Sequence, residues 1–302
     1  MGYKNKLSLV AQIKQTLDSR LAIGQSKHQA KIEGVSHEYI YSWETYRSYM
    51  KHCNYFASWC KDQQYITDTL GHKARSLEEC RPFVDDWLKT RVSLSAYTQK
   101  LEASALAKLY GCSTKDFIKT STRNRSLITR SRGKKVRDAN FSEENHKDLI
   151  AFCCSTGLRR AELKALTGDK LIFKNNKPYI VVSSGSKGGR YREAPVIGDV
   201  ELVIRMMQAA SNKKVFDKIP NGADIHSYRS DYATAIYNSL ARPIQEIPFD
   251  ARNRGTGRLY QKEVYNCRGD QKGVKLDKIA MLEASRALGH NRISVVAEHY
   301  IR

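Results

Sequence analysis

One basic segment divides this 302-residue sequence into two parts with different folding signals. Between residues 119 and 137 there are eight Lys or Arg and no Asp or Glu, and Ser, Thr, Asn and Gly fill most of the other positions. A segment with so few apolar side chains cannot bury a core, which favours an extended linker. We therefore expect a linker over residues 121–140, with a separate domain on each side of it.

The net charge indicates what this linker could contact. The chain has 52 Lys and Arg against 31 Asp and Glu, a formal charge of +21. Such an excess attracts polyanions, and each DNA phosphate that is neutralised releases a condensed counterion. We predict a linker that follows a DNA backbone; a flexible surface loop on a basic soluble protein is the alternative that composition leaves open. The predicted DNA-binding residues are Arg123, Arg125, Arg130, Arg132, Lys134, Lys135 and Arg137.

The part before the linker, residues 1–120, has helical patterns and almost no strand signal. Apolar residues recur at helical spacing over residues 7–17, and two further helices are predicted over 76–90 and 95–110. An aromatic stripe lies within residues 37–62, at steps of three, four or seven. Such a stripe is more typical of a helix core than of a base-stacking surface. Its members are Tyr39, Trp43, Tyr46, Tyr49, Phe56 and Trp59.

The part after the linker has a mixed pattern. Ser142 is predicted to cap a helix that has two glutamates in its first turn and ends near Gly157. Residues 177–182 and 191–197 predict a β-hairpin because apolar and β-branched residues flank a turn rich in glycine and serine. The remaining predicted helices lie near residues 199–211 and 227–241, and a short terminal helix carries Tyr300.

Cysteine usage and hydropathy exclude several protein classes. The seven cysteines form no disulfide-like pattern and no CxxC pair, so we expect reduced, mostly buried thiols in a cytoplasmic protein. Two histidines and three cysteines fall within residues 52–80, but their spacing matches no common zinc site, and we expect no metal. No apolar run approaches the length of a membrane span, so we expect no membrane association.

Four short motifs after the linker contain the residue types that phosphodiester transfer requires. Its transition state spreads negative charge over equatorial oxygens, which preorganised guanidinium groups stabilise well. A nucleophile must stand in line, and the leaving oxygen needs a proton. The motifs are Thr-Gly-Leu-Arg-Arg-Ala-Glu-Leu at 156–163, a glycine-flanked Lys187 at the hairpin tip, His-Ser-Tyr-Arg at 226–229, and Leu-Gly-His at 288–290 with Tyr300 ten residues after the histidine.

Helical spacing gives these motifs a geometry. Arg159 is expected in the first turn of a helix, with Glu162 on the same face to orient its guanidinium. His226 and Arg229 are one helical turn apart. Arg160 is an adjacent candidate for the position of Arg159.

Taken together, the motifs resemble those of the tyrosine recombinases, or phage integrases. The matching patterns are T-G-L-R-x-x-E-L, G-x-K-G-G, H-x-x-R, and L-G-H followed by tyrosine. The resemblance covers residues 141–302 at motif level and residues 1–120 by helical architecture alone. It implies a mixed α and α/β protein: a helical, SAM-like core-binding domain, then a mostly helical catalytic domain with a small β-hairpin or sheet, the fold of DNA-breaking-rejoining enzymes.

The resemblance also implies a catalytic set, supported by Glu162. Two arginines would clamp the scissile phosphate, to which one histidine would donate a hydrogen bond. The set is Arg159, Lys187, His226, Arg229, His290 and Tyr300.

Within that set the family assigns the covalent step and its proton transfers. Tyr300 would attack to form a 3′-phosphotyrosyl intermediate and free a 5′ hydroxyl. Lys187 would protonate the leaving oxygen, and His226 would assist proton transfer at the tyrosine. Arg190 and Arg192 share the hairpin with Lys187 and leave its assignment open. No cofactor is implied, because the covalent link conserves the bond energy.

The implied function is site-specific recombination, such as integration or excision of a mobile element. The implied partners are double-stranded DNA with an inverted-repeat core site and three further copies of the chain in a homotetramer, and an accessory directionality factor is a further candidate. A type IB topoisomerase-like nicking-closing enzyme and a catalytically idle DNA-binding regulator are the alternatives.

The sequence departs from the family pattern in three places. The gap from His290 to Tyr300 is one residue longer than the commonest spacing. Residues 242–280 form an insertion, predicted as an added β-hairpin that contacts DNA or another subunit. Tyr260 and Tyr265 within it are rival nucleophiles. The sequence ends two residues after Tyr300, whereas many members continue with a tail that docks on a neighbouring subunit.

Overall fold

In a computed structural model, contacts divide the chain into two units, Met1–Ile128 and Thr129–Arg302. The structure describes residues 7–124, 141–184, 191–290 and 292–301. Lys187 and six of the seven predicted DNA-binding cations, all except Arg123, lie outside these ranges. The linker prediction over residues 121–140 falls almost wholly outside them as well.

The described part of the first unit is helical, as predicted. Serine side chains accept hydrogen bonds from the first turns of five of its helices, which satisfies backbone groups that a helix end leaves unpaired. The helices are α1 (Leu9–Asp18), α2 (Lys27–Ile32), α3 (Trp43–Asp62), α4 (Gln64–Leu70), α5 (Leu77–Cys80), α6 (Val84–Thr90) and α7 (Ala96–Tyr110).

One helix of this unit was predicted as continuous, and that prediction is wrong. The predicted helix over residues 76–90 is split into α5 and α6 by a 3₁₀ turn, Arg81–Phe83. Pro82 lies at the start of that turn, where its missing N–H and its ring oppose an uninterrupted α-helix.

The aromatic stripe contributes to the core of the first unit only within helix α3. Phe56 is fully buried against Trp87, with ring centroids 5.4 Å apart, and Tyr46, Tyr49 and Trp59 pack around the same core. The two stripe members at the N-terminal end are exposed, Tyr39 by 39% and Trp43 by 51%, so the core prediction is wrong for them. Helix α3 begins only at Trp43, and these two rings therefore lie before or in its first turn.

The second unit combines six helices with three small antiparallel sheets in its described ranges. The helices are α8 (Lys147–Thr156), α9 (Arg160–Ala165), α10 (Val200–Ala210), α11 (Ile225–Leu240), α12 (Lys278–Ala287) and α13 (Ile293–His299). The strands are β1 (Leu171–Lys174), β2 (Lys177–Val182), β3 (Arg192–Pro195), β4 (Ala251–Arg252), β5 (Leu259–Tyr260), β6 (Val264–Asn266) and β7 (Lys275–Asp277). The sheets are β1-β2-β3, β4-β5 and β6-β7.

Three details of this unit differ from the sequence predictions. The predicted hairpin is the β2–β3 part of a three-stranded sheet, which β1 completes by pairing Leu171 with Ile180. The insertion contains two hairpins, β4–β5 and β6–β7, where one was predicted. The N-cap residue of helix α8 is His146 and not Ser142, because a 3₁₀ turn over Glu144–His146 precedes the helix, and the His146 ring contacts the Ser142 carbonyl at 2.9 Å.

Helix α11 connects the two hydrophobic clusters of the second unit. Its first turns pack with the cluster around Phe152 and Leu163, and the rest packs with the cluster around Met281 and Leu288. Tyr232 on α11 is fully buried, and its hydroxyl donates to the Pro195 carbonyl at 2.7 Å. The His-Ser-Tyr-Arg motif therefore lies where the two clusters meet.

The remaining sequence expectations concern thiols, metals and membranes. Five of the seven cysteines are buried and none forms a disulfide, so the prediction of mostly buried, reduced thiols is confirmed. Among the residues that the structure describes, no three His, Cys, Asp or Glu side chains come together as metal ligands. The same residues include no helix with the length and apolarity that a bilayer crossing requires.

We predict that Gly157→Ala destabilises the second unit by about 2–4 kcal/mol, because a left-handed alanine is strained and an added Cβ must displace packed atoms. Gly157 ends α8 at φ +59°, and its Cβ would lie 2.2 Å from the buried ring of Tyr232. Urea unfolding monitored by far-ultraviolet circular dichroism, which reports on the helices of both units, checks this. Gly257→Ala is the control, since Gly257 has φ +67° but no atom within 4 Å, and it should cost only about 1 kcal/mol. Equal losses for both variants would contradict the packing argument.

Candidate active site

Four helix ends bring the motif residues to one place in the second unit. Arg159 lies at the start of α9, and His226 and Arg229 lie in the first turns of α11. His290 follows the end of α12, and Tyr300 immediately follows α13. Sequence-distant residues meet because all four ends pack beside the two hydrophobic clusters.

Arg159 is the N-cap residue of α9, and not a first-turn residue as predicted. Its backbone N–H donates to Glu162 Oε2, and its Nη1 donates to Glu162 Oε1, both at 2.7 Å. Arg160, the adjacent alternative, donates instead to backbone carbonyls of the loop before α11, at 2.7 Å to Pro220 and 2.5 Å to Ala223. Arg159 therefore lies with Arg229, His290 and Tyr300 in one cluster of side chains. Arg160 instead stabilises the loop before α11.

Arg229 is the most buried cation of the cluster, with 1% of its surface exposed. Its guanidinium donates to the carbonyls of Gly157 and Leu288, and its Nε lies 3.4 Å from the Tyr300 hydroxyl. Arg159 also donates to the Leu288 carbonyl, at 3.3 Å. Burial and the nearby Arg159 lower the pKa of Arg229 to about 10, which leaves it charged at neutral pH. Two guanidinium groups thus converge on one carbonyl oxygen.

Two imidazoles adjoin the Tyr300 phenol. His290 Nε2 lies 3.3 Å from the Tyr300 hydroxyl, and the His226 ring contacts the phenol ring edge-on at a centroid distance of 5.2 Å. Burial, reinforced by Arg229 and Arg159, lowers the pKa of His290 to about 4. His290 is therefore neutral at pH 7 and can accept or donate a hydrogen bond.

Tyr300 is held in place by its backbone and by packing. It is 5% exposed, its N–H donates to the Val296 carbonyl at 2.9 Å, and its carbonyl accepts from Thr234 at 3.2 Å. Tyr260 and Tyr265, the rival nucleophiles, lie on β5 and β6 of the insertion. Among the described residues, Tyr300 is the tyrosine whose hydroxyl lies beside Arg229 and His290.

Arg192 belongs to the site, although the sequence reasoning treated it only as a neighbour of Lys187 on the hairpin. Its guanidinium donates to both carboxylate oxygens of Glu162, at 2.8 and 2.7 Å, and its Nε donates to the Ala287 carbonyl at 3.2 Å. A Cβ at Gly289 would lie 2.8 Å from its Cδ, so a side chain there would collide with Arg192. Strand alternation could have revealed this, because Arg192 and Ala194 share the inward face of β3.

Glu162 is the acidic centre of this arrangement. It is 3% exposed and lies between the guanidinium groups of Arg159 and Arg192. Burial alone would raise the pKa of Glu162, but hydrogen bonds from Arg192 and Arg159 outweigh burial and lower it to about 2. The described cluster therefore contains three guanidinium charges and one carboxylate, a net positive site suited to an anion.

Two predicted parts of the site cannot be placed. Lys187 lies outside the described residues, between strands β2 and β3. Of the predicted DNA-binding cations, Arg123 is described in the first unit, with its guanidinium 5.5 Å from the centre of the Tyr97 ring. The other six lie in the undescribed stretch of residues 125–140.

No protein-family model matches the sequence, and no curated protein matches it either. Among solved structures, the chain is similar to the XerH site-specific recombinase bound to palindromic difH substrate in a post-cleavage complex. The identity is 13%, the match covers 98% of this chain and 94% of that chain, and the TM-score is 0.55. This chain has the tyrosine recombinase fold.

The chain is also similar to two further solved structures. The pre-cleavage complex of XerH with difH is 14% identical, with coverage of 96% and 92% and a TM-score of 0.51. The Tn1549 transposon integrase in complex with transposon right end DNA is 12% identical, with coverage of 98% and 95% and a TM-score of 0.46. The fold assignment rests on XerH, and it confirms the predicted fold class.

We predict that Arg192→Met destabilises the second unit by about 3 kcal/mol, because removing one partner of a buried ion pair leaves the other poorly compensated. Urea unfolding would measure the loss, and the double variant Arg192→Met with Glu162→Gln should recover part of it. Glu193→Gln is the control: Glu193 pairs with Lys174 at 2.5 Å on the surface, and its loss should cost less than about 1 kcal/mol. An Arg192 variant as stable as wild type would refute the structural role.

Proposed function

We propose that this chain is a site-specific DNA recombinase that cleaves and rejoins DNA through a covalent bond to Tyr300. The observation that carries the proposal is the surroundings of the Tyr300 hydroxyl, 3.3 Å from His290 Nε2 and 3.4 Å from Arg229 Nε. A phenol that only filled a core would not require a buried guanidinium and an imidazole beside its hydroxyl. A phenol that attacks a phosphate requires them.

The arginines supply the phosphate site in this proposal. Arg159 and Arg229 already converge on the Leu288 carbonyl, so a phosphate oxygen near that carbonyl could accept hydrogen bonds from both. Glu162 fixes Arg159 at its cap position, while His290 is within reach of the same region. Because these groups are partly or fully buried, their interactions with developing negative charge are stronger than in water.

The proposed covalent step exchanges one phosphate ester bond for another. The Tyr300 oxygen forms a bond to phosphorus, the bond from phosphorus to the 5′ oxygen breaks, and the phenol proton passes to a neighbouring imidazole. His290 is neutral and contacts the hydroxyl, and His226 adjoins the ring. Lys187 is proposed to protonate the leaving 5′ oxygen. Attack by a 5′ hydroxyl of a second strand then reverses each step and releases Tyr300.

The wider proposal concerns domains and assembly. Residues 1–120 would grip DNA as a core-binding domain, residues 121–140 would follow its backbone, and residues 141–302 would catalyse. The partners would be double-stranded DNA with an inverted-repeat core site and three more copies of the chain in a homotetramer, with an accessory directionality factor setting the direction of reaction. The XerH neighbours, bound to their difH substrate, support DNA as the partner of this fold.

The test is covalent trapping on nicked genomic DNA from the source organism, stopped with detergent and resolved on a denaturing gel. Wild type should form protein–DNA adducts with free 5′ hydroxyl ends, and Tyr300→Phe should form none, because it lacks the nucleophilic oxygen. Tyr260→Phe is the matched control and should react as wild type does. Arg229→Lys should slow adduct formation by about 10²–10³-fold, the usual cost of losing one oxyanion donor.

Two results would contradict the proposal. Adducts with Tyr300→Phe would move the nucleophile elsewhere, and no adduct with wild type would favour a DNA-binding regulator. Sequencing of the trapped ends should reveal one recurrent site. Trapping at unrelated sequences, with relaxation of any supercoiled plasmid, would instead indicate a topoisomerase-like nicking and closing activity.

A further inference from the structure

The insertion between α11 and α12 contains a short β-hairpin, and the tip of this hairpin, residues 252–258, has three arginines. Strands β4 and β5 pair Ala251 with Tyr260 and Arg252 with Leu259. We infer that this hairpin is a second DNA-binding element, an arm whose tip enters a groove of duplex DNA away from the cleaved phosphate. The inference rests on the proposed function, because it takes duplex DNA as the substrate.

The tip of the arm is ordered by its own hydrogen bonds. The Asn253 side chain accepts from the N–H groups of Gly255 and Thr256 at 2.9 and 3.0 Å. The Asn253 N–H donates to the Arg258 carbonyl, and the Gly257 N–H donates to the Asn253 carbonyl, both at 2.8 Å. Such a turn presents its side chains in a fixed arrangement, which reduces the entropy lost on binding.

The charge of the tip has no internal compensation. Arg252, Arg254 and Arg258 are all exposed, and none of them forms an ion pair within the described ranges. Two carboxylates of the insertion are engaged at its base, where Arg242 binds Asp277 and Glu263, each at 2.8 Å. The arm therefore presents three available guanidinium groups at its far end.

The base of the arm is tied to the helix that carries Arg229. Gln261 donates to the carbonyls of Ile244 and Ile247, both at 2.7 Å, and so closes the hairpin onto the segment that follows α11. Asp277 is fully buried; its pair with Arg242 joins the two ends of the insertion, and its N–H donates to the hydroxyl of Tyr237 on α11 at 3.1 Å. A rigid base and an ordered tip suit an element that binds at a fixed distance from the site.

Duplex DNA is the occupant that this chemistry fits best. A two-stranded ribbon is narrow enough for the major groove, where arginine pairs with guanine edges or with phosphates. The tip sequence Arg-Asn-Arg-Gly-Thr-Gly-Arg has small residues between its last two cations, which permits close approach to a backbone. A single strand would instead call for exposed rings at the tip, and the described tip residues 252–258 include none.

The experiment measures binding of a 40-base-pair duplex of mixed sequence by fluorescence anisotropy over a range of salt concentrations. The probe is compared with a single strand of the same length. The triple variant Arg252→Ala, Arg254→Ala, Arg258→Ala should lower the slope of log affinity against log salt by about 2–3, since each lost phosphate contact removes about 0.9. The triple lysine variant should keep most of the slope because it keeps the charge.

The matched control removes three exposed lysines from the segment between α10 and α11. The triple variant Lys213→Ala, Lys214→Ala, Lys218→Ala has the same charge change within the same unit. Its slope should fall by less than half as much as that of the arginine variant. Three results would each contradict duplex binding by the hairpin. They are an unchanged slope for the arginine variant, an equal fall in slope for the control variant, and a larger loss of affinity for the single strand than for the duplex.

Covalent trapping separates failure of the arm from failure of the proposed function. At saturating protein, the triple arginine variant should form the Tyr300 adduct, because the arm contributes binding and not chemistry. Loss of duplex binding in this variant would support the arm even if wild type formed no adduct. If the variant bound duplex DNA normally and wild type formed adducts, the hairpin would not be a DNA-binding element, while the proposed recombinase function would stand.

Discussion

The structure of the site depends on one buried carboxylate. Glu162 lies between Arg159 and Arg192 and binds both, at 2.7 Å and at 2.7–2.8 Å. Removing charges from water costs several kcal/mol per ion unless a partner and further hydrogen bonds compensate them. Because Glu162 neutralises one charge of this pair, Arg159 is held in a fixed position at the proposed phosphate site.

The charge of Arg229 is compensated by backbone carbonyls and not by a carboxylate. These carbonyls belong to helix ends, so the contacts of Arg229 also stabilise the fold. Its guanidinium donates to the carbonyls of Gly157 and Leu288, which lie at the ends of α8 and α12. Helix C-termini carry partial negative charge and unpaired carbonyls, so a buried cation satisfies both needs at once. The same contacts that orient Arg229 therefore hold two helices together, and the unit cannot pack fully without assembling its cationic cluster.

Much of this arrangement could be predicted from the sequence. The residues that converge on Tyr300 all lie in motifs with a chemical rationale, and strand β2 was predicted at its observed bounds, residues 177–182. Helix patterns also succeeded where serine caps and apolar periodicity agreed, as in α7. Local signals of this kind are strong because each depends on residues a few positions apart.

The rest depended on contacts between distant residues. Strand alternation could have placed Arg192 on the inward face of β3, but its partners, Glu162 and the Ala287 carbonyl, are distant in sequence. Strand β1 has partners only once β2 is in place, and the two hairpins of the insertion have two or three paired residues per strand, too few for a clear alternation.

The cationic cluster can be tested through the titration of His290, followed by NMR of labelled histidine and assigned with His290→Gln. Burial and the surrounding guanidinium groups put its pKa near 4, so the imidazole should remain neutral as the pH falls from 6.5 toward 4. Sulfate bound between the arginines would offset their charge and favour the imidazolium, so added sulfate should raise the midpoint. A midpoint near 6.5 that sulfate does not move would contradict the convergence of these cations around one oxyanion site.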